Sequence, residues 1–276
     1  MSGRYKVQWL CEALLVSRSG YYDWQRRRRQ PGPRAAANAA LCERIHLEFV
    51  RQRRAYGSPR LARALGLPGS RHRIARLMRQ NRLQARQRSK YRVATTDSRH
   101  ADPIAPNRLV GFKAQRPYQA WVTDATCVLT GEGWLYVVAL LDVFTRKIVG
   151  WAMGPRLDAA LAVRALDMAI TRCGGRPGLI VHSDRGSQFT SVDYRRALAA
   201  HGCVASMSRK GNCYDNAFIE SFWSSLKYEV VYPQRFPSRA SARAALFDYI
   251  ESFYNRIRLH SSLGYVSPLV FESKLN

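Results

Sequence analysis

Acidic residues are scarce in this chain: 19 Asp and Glu stand against 45 Lys and Arg, a net charge of +26 over 276 residues. An imbalance of that size disfavours basic partners and points to polyanions. Long apolar runs are missing too. No stretch reaches the roughly 18 apolar residues of a membrane span, and Met1-Ser2-Gly3-Arg4-Tyr5-Lys6 is no secretory leader. A soluble, cytoplasmic chain with no membrane partner is therefore expected. Paired cysteines are also lacking. Cys11, Cys42, Cys127, Cys173, Cys203 and Cys213 are never closer than ten residues, which excludes a zinc finger or knuckle. Cys42 and His46 could share a helix face, but no second pair completes four ligands, so inert reduced thiols are the plain reading. Heptad repeats are absent.

Apolar residues are not scarce. At 46% hydrophobic the chain can build a sizeable core, and its length suggests two domains or one domain with an extension. The charge is lopsided. Residues 1–116 carry 27 Lys/Arg and 6 Asp/Glu, net +21, whereas residues 117–276 carry 18 and 13, net +5. The basic residues of the first part are nearly all Arg, which suits phosphate and base contacts. Two readings compete there: a nucleic-acid surface held by counterion release, or a merely solvated or ribosomal-type basic face. The arginine content favours nucleic acid.

Residues 1–30 read as a helical unit, with Val7, Leu10, Leu14 and Leu15 at helical spacing. A Ser/Gly turn over Val16–Gly20 then leads into a second helix, a pattern that suits a helix-turn-helix. Arg26 to Arg29 followed by Pro31 and Pro33 form a basic break. Residues 31–83 form a second helical DNA-binding unit, with an apolar stripe of Leu41, Ile45, Leu47, Phe49 and Val50, and a turn at Tyr56–Arg60. Ser70 is the expected N-cap of its last helix. On that helix Arg71, Arg73, Arg76 and Arg79 line the exposed surface and mark the candidate recognition element; a plain solvated basic helix is the alternative. Residues 84–116 read as a basic linker, and residues 117–276 as a second domain closed by C-terminal helices.

From Gln119 onward the pattern is strand-like: 121–130, 134–142 and 147–153 as antiparallel strands, a helix at 158–172, a buried strand at 179–182, a helix at 192–201 and a short strand at 204–207. Helices at 216–228 and 241–256 follow. This α/β order fits a ribonuclease-H-like fold, a mixed five-stranded sheet with flanking helices, preceded by an all-α helix-turn-helix region. Three acids stand where burial alone would not put one. Asp124 ends the apolar run from Ala120, Asp184 follows Leu179–Ser183, and Glu220 lies on a helix; 59 residues separate the first two and 35 the last two. In that order of elements they meet at one end of the sheet. Such a set can hold two Mg²⁺ or Mn²⁺ ions about 3.5–4 Å apart for phosphodiester chemistry. Lys227 lies seven residues beyond Glu220, on nearly the same helix face, positioned to reach DNA, although taken alone it reads as a surface lysine. Asp142 reads as a turn residue and Asp215 as a helix cap. His182 is either a support for the site or a packed core histidine.

These residues resemble a known family. Val16–Tyr22, Tyr56-Gly57, Arg76-Leu77-Met78, Trp121-Val122-Thr123-Asp124, His182–Phe189, Ser208–Ala217 and Tyr254–Pro268 are similar to segments of the second-reading-frame transposases of the insertion-sequence-3 group, relatives of retroviral integrases. The resemblance covers nearly the whole chain. It implies an integrase core with Asp124, Asp184 and Glu220 as catalytic, metal-holding triad, Lys227 as the basic residue after the glutamate, double-stranded DNA (element ends and target) as substrate, and a nucleoid-associated homo-oligomer. The product of an upstream reading frame is a further implied partner. Ala125 and Cys127 depart from the family pattern, which has a larger aliphatic and an aromatic there.

The expected activity is metal-dependent cleavage at element ends, freeing a 3′-hydroxyl that then attacks another phosphodiester with no covalent protein intermediate. The resemblance implies that the first transfer joins the two ends of one strand. Two rivals are a non-catalytic DNA-binding regulator of transposition and a nuclease acting on hybrids or junctions.

Overall fold

The computed structural model describes residues 5–30, 32–86, 103–209 and 216–275. The chain divides into two compact units, Met1–Ala85 and Arg86–Asn276. Most of the segment expected as a linker, at 87–102, lies outside the described residues, as does Asp215. Among the described residues no helix is long and apolar enough to cross a membrane.

The first unit is helical. Helix α1 spans Val7–Ala13 and α2 spans Arg18–Arg29. The expected Ser/Gly turn is shorter than its sequence suggests, because Ser17 caps α2 and Ser19 and Gly20 already belong to the helix. The Ser17 hydroxyl accepts the Gly20 N–H at 3.1 Å, and a Cβ on Gly20 would come within 2.8 Å of that oxygen. Helix α3 (Pro33–Arg51) starts on a proline whose missing N–H costs nothing there. Leu41, Ile45 and Phe49 of α3 turn inward, each one helical turn after the last. Leu47 and Val50, expected in the same stripe, are 71% and 47% exposed. At about 100° per residue they fall away from the face that carries Leu41, Ile45 and Phe49. Helix α4 spans Ser58–Ala64, and α5 spans Arg71–Gln80 with Ile74, Leu77 and Met78 buried. Ser70 precedes α5 but makes no side-chain cap, since it closes the 3₁₀ turn Pro68–Ser70 and its N–H bonds Leu67 O at 2.9 Å.

The second unit is built on a five-stranded sheet in the order β3-β2-β1-β4-β5. Strands β1 (Ala120–Thr130), β2 (Gly133–Asp142) and β3 (Ile148–Gly154) form an antiparallel meander, while β4 (Ile180–Ser183) and β5 (Val204–Met207) add to it in parallel. A parallel strand needs a crossover. Helix α6 (Ala159–Cys173) supplies it, capped by the Asp158 carboxylate on Leu161 N at 2.9 Å and ended by Gly174 at φ 75°. Ala-rich α6 lies so close to β3 that a Cβ on Gly150 would meet Ala165 O at 2.4 Å. The core on this side joins Trp121, Val138 and Leu140 of the sheet to Leu161, Ala165 and Leu166 of α6.

Helix α7 (Ser187–Thr190), which the sequence reading misses, runs into α8 (Val192–Ala200), with Ser191 capping the latter. Helix α9 (Ala217–Leu226) continues as a π-helical turn over Lys227–Val231. The single long helix expected at 241–256 is instead α10 (Arg239–Phe247) followed by π-helical Asp248–Tyr254, and α11 (Pro268–Ser273) ends the fold. Both π turns bring polar side chains inward to one buried pair, described below.

Gly150→Ala should lower unfolding stability by about 2 kcal/mol or more, since the added methyl strikes backbone atoms of α6 that cannot move alone; urea denaturation measures it.

Candidate active site

Strand pairing decides where the first two acids sit. Strand β1 lies between β2 and β4, with Val122 beside His182. Two residues further along each parallel strand are Asp124 and, just past the end of β4, Asp184, so the two acids come level on adjacent strands. Side chains alternate faces along a strand. Trp121 and Ala125 of β1 point into the core shared with α6, which leaves Asp124 on the other face, where α9 packs. Asp184 is half-buried and accepts the Gly186 N–H at 3.0 Å, a tight local turn that holds its carboxylate.

Helix α9 runs beside β1. Asn216 Nδ2 donates to Thr123 O at 3.4 Å at its start, and one turn after Glu220 the Trp223 indole N–H donates to Asp124 Oδ2 at 3.1 Å. Glu220 is exposed on this helix. Burial pushes the Asp124 carboxyl up to about 8; the charge of Asp184 adds to the rise and that of Glu220 adds less, while the Ala125 N–H and the Trp223 indole pull it back. Asp124 keeps a half-buried surface, yet enough protein surrounds its carboxyl for burial to dominate. The three acids thus share one electrostatic site. They do not close into a coordination cluster: among the described residues, no three His, Cys, Asp or Glu gather tightly enough to hold a metal ion.

Lys227 is the C-cap of α9 and is half-buried. Its charge acts on the Cys127 thiol, lowering it against the rise caused by burial, which sets the ammonium beside β1 beyond Asp124. The π turn that begins at Lys227 delivers Glu229 into the interior. There Arg258 Nη2 meets Glu229 Oε1 at 2.8 Å, and Tyr249 Oη donates to Glu229 Oε2 at 2.8 Å. Arg258 also donates to Ser225 Oγ at 3.0 Å, so the pair anchors the end of α9. Its guanidinium stays charged: burial works against the charge, while Tyr249 and Glu229 hold it in place.

The remaining candidates separate cleanly. His182 is fully buried, with Nδ1 2.8 Å from Ser206 Oγ and Nε2 3.0 Å from Ser208 Oγ, a core histidine bridging β4 to β5. Asp142 is buried and accepts from Tyr118 N, Thr145 N and Thr145 Oγ1, each at 2.8 Å; burial raises its carboxyl to about 6 although the Thr145 bonds oppose it. It holds the β2–β3 turn. In the first unit Arg71, Arg73, Arg76 and Arg79 are all exposed on α5. Arg73 is partly committed, its Nε donating to Asn38 Oδ1 of α3 at 2.9 Å. The described cysteines form no disulfide. Sequence reasoning missed Trp223 and Asn216. Trp223 had a signal, its three-residue offset from Glu220; Asn216 had none, because its partner is a backbone carbonyl 93 residues away.

Family profiles described as "Integrase core domain" match residues 114–213 and 201–268, and one described as "HTH-like domain" matches residues 36–91. The last falls on α3 to α5, not on α1 and α2. The chain is 40% identical over 274 residues to "Transposase InsF for insertion sequence IS3A" of Escherichia coli (strain K12), covering 98% of this chain and 95% of that protein. This chain belongs to the insertion-sequence-3 transposase family. A second relative, "Insertion element IS600 uncharacterized 31 kDa protein" of Shigella sonnei, is 45% identical over 96% of this chain and 98% of its own length. Among solved structures, a simian T-cell lymphotropic virus intasome covers 76% of this chain and 69% of its own at 16% identity and TM-score 0.48. The HTLV-2 integrase catalytic core domain in complex with magnesium covers 58% and 99% at 16% identity and TM-score 0.43. Membership makes this chain a DNA transposase with an integrase core and a helical HTH-like region.

Glu229→Ala should destabilise the second unit by about 3 kcal/mol, because it strands the buried Arg258 charge; denaturant unfolding followed by tryptophan fluorescence measures the loss.

Proposed function

We propose that this transposase cuts and joins DNA strands at Asp124, Asp184 and Glu220, with one or two Mg²⁺ or Mn²⁺ ions as cofactor. The observation that carries the reading is the strand register that sets Asp124 level with Asp184 while Trp223 fastens α9, and with it Glu220, to Asp124. The donor set fits a hard divalent cation. All three groups are carboxylates, and Asp124, buried beside like charges, needs a nearby positive charge to stay ionised at neutral pH. When bound, such ions would supply Lewis-acid stabilisation and a more acidic water.

The protein's own contribution is positioning. Two aspartates on paired strands form a rigid base, and Glu220 completes the set from a helix. Lys227, beyond Glu220 on the same side of α9, lies in reach of a backbone phosphate of the DNA. Arg71, Arg76 and Arg79 on α5 offer a row of guanidinia for duplex phosphates, with Arg73 sharing its bond to Asn38. No serine, tyrosine or cysteine takes the place of a nucleophile in this reading, so water attacks first and the freed 3′-hydroxyl attacks next. Two element ends must be held together for that second step, which calls for at least two copies of the chain. A nucleoid-associated protein of the cytoplasm, working with an upstream-frame product, agrees with this chemistry.

Asp184→Asn should abolish Mg²⁺-dependent cleavage of labelled element-end DNA and leave duplex affinity unchanged; strand transfer surviving in that variant would sink the assignment. For α5, alanine at Arg76 and Arg79 should weaken duplex binding on every sequence and lower the slope of log affinity against log salt by about one unit per arginine. A salt titration by fluorescence anisotropy decides, and an unchanged slope removes α5 from the DNA surface.

A further inference from the structure

Arg146 stands in the β2–β3 turn with a backbone φ of 63°. That left-handed conformation suits glycine or asparagine, and a long side chain adopts it at a cost. The backbone therefore gives no reason for an arginine. The side chain does: its guanidinium lies 3.8 Å from the ring centroid of Phe218, on the first turn of the helix that carries Glu220. Asp142 and Tyr254 are near enough to favour its charge against burial. Tyr254 in turn meets Phe222 edge-on, with centroids 4.8 Å apart. Phe218 and Phe222 are one helical turn apart, so a single face of α9 is keyed to Arg146 and Tyr254.

The guanidinium is not otherwise well served. Its Nη1 is buried with no hydrogen-bond partner among the described residues, an arrangement that costs free energy. A left-handed backbone and a buried donor without a described protein partner at one residue direct attention to what else its side chain does. What the residue does touch is the start of α9, two positions before Glu220.

We propose that Arg146 is a positioning residue for Glu220. By gripping Phe218 it sets the rotation of α9 about its own axis, and with it the angle from which Glu220 meets Asp124 and Asp184. Planarity matters: a guanidinium can lie flat on a ring, whereas a lysine ammonium makes a point contact. The inference rests on the three-carboxylate reading above and adds to it a residue that acts through Phe218.

The test uses the full-length chain without DNA for cation binding and with labelled element-end duplex for activity. Arg146→Gly should melt at or above the wild-type temperature, because the left-handed turn is relieved, and should bind the duplex normally. It should nevertheless need about tenfold more Mn²⁺ for half-saturation in an electron paramagnetic resonance titration, the size of effect seen when outer supports of metal ligands are removed. Cleavage at limiting Mn²⁺ should fall by a similar factor and recover in part as Mn²⁺ rises. Phe218→Leu should reproduce both effects, Arg146→Lys should fall between, and the Gly/Leu double variant should be no worse than either single one. An Arg146→Gly protein with the wild-type Mn²⁺ midpoint overturns the proposal; if that variant does not fold, the same midpoint in Phe218→Leu overturns it. Should Asp184→Asn also leave the midpoint unmoved, the three-carboxylate reading itself is what fails, and the role of Arg146 falls with it.

Discussion

Burial of the Asp124 carboxyl beside neighbouring acids is the constraint around which the second unit is arranged. A carboxyl driven up by burial and by Asp184 would be expelled or neutralised in a soft structure. Here it cannot retreat, because it sits on β1, hydrogen-bonded to strands on both sides. Its compensations are local and partial: one backbone N–H from Ala125 and one indole N–H from Trp223. Such a site leaves Asp124 short of nearby positive charge, and the proposed cation binding rests on that shortage.

Helix α9 is the other half of this arrangement. Unlike the strands, it is fastened by side chains: Asn216 at its start, Phe218 under Arg146, Trp223 on Asp124 and, at its far end, the Glu229–Arg258 pair. Wide π turns recur at Lys227–Val231 and Asp248–Tyr254, where Glu229 and Tyr249 turn inward to share one buried network. Such turns interrupt the ordinary helical repeat and let a polar residue reach the interior at a chosen position. The result is a helix whose two ends are held independently, with Glu220 and Lys227 between the anchors.

Much of this was legible beforehand. Apolar runs that end in an acid, Ala120–Asp124 and Leu179–Asp184, single out those two carboxylates, and strand pairing brings them level. The strands of the sheet fell close to their expected bounds, because alternation and β-branched residues are local signals. Other expectations failed for physical reasons. Leu47 and Val50 join the inward stripe of α3 on apolarity alone, while helical geometry puts them outside. Ser70 looked like a cap, yet a preceding 3₁₀ turn had already engaged its backbone. The long helix at 241–256 concealed a π turn, whose Tyr249 bonds Glu229, a partner that no local pattern announces.

By itself, then, the sequence determined the strands, the charge division between the units and three acids standing where packing would not choose one, because each of these depends on composition or on neighbours within a few positions. Only the tertiary structure decided that His182 is a core bridge, that Asp142 holds a turn, and that Trp223, Asn216 and Arg146 fasten α9. Those roles depend on pairings between residues as many as 99 positions apart, as between Asp124 and Trp223. Strand register and helix rotation bring such partners together, and no local pattern encodes either one.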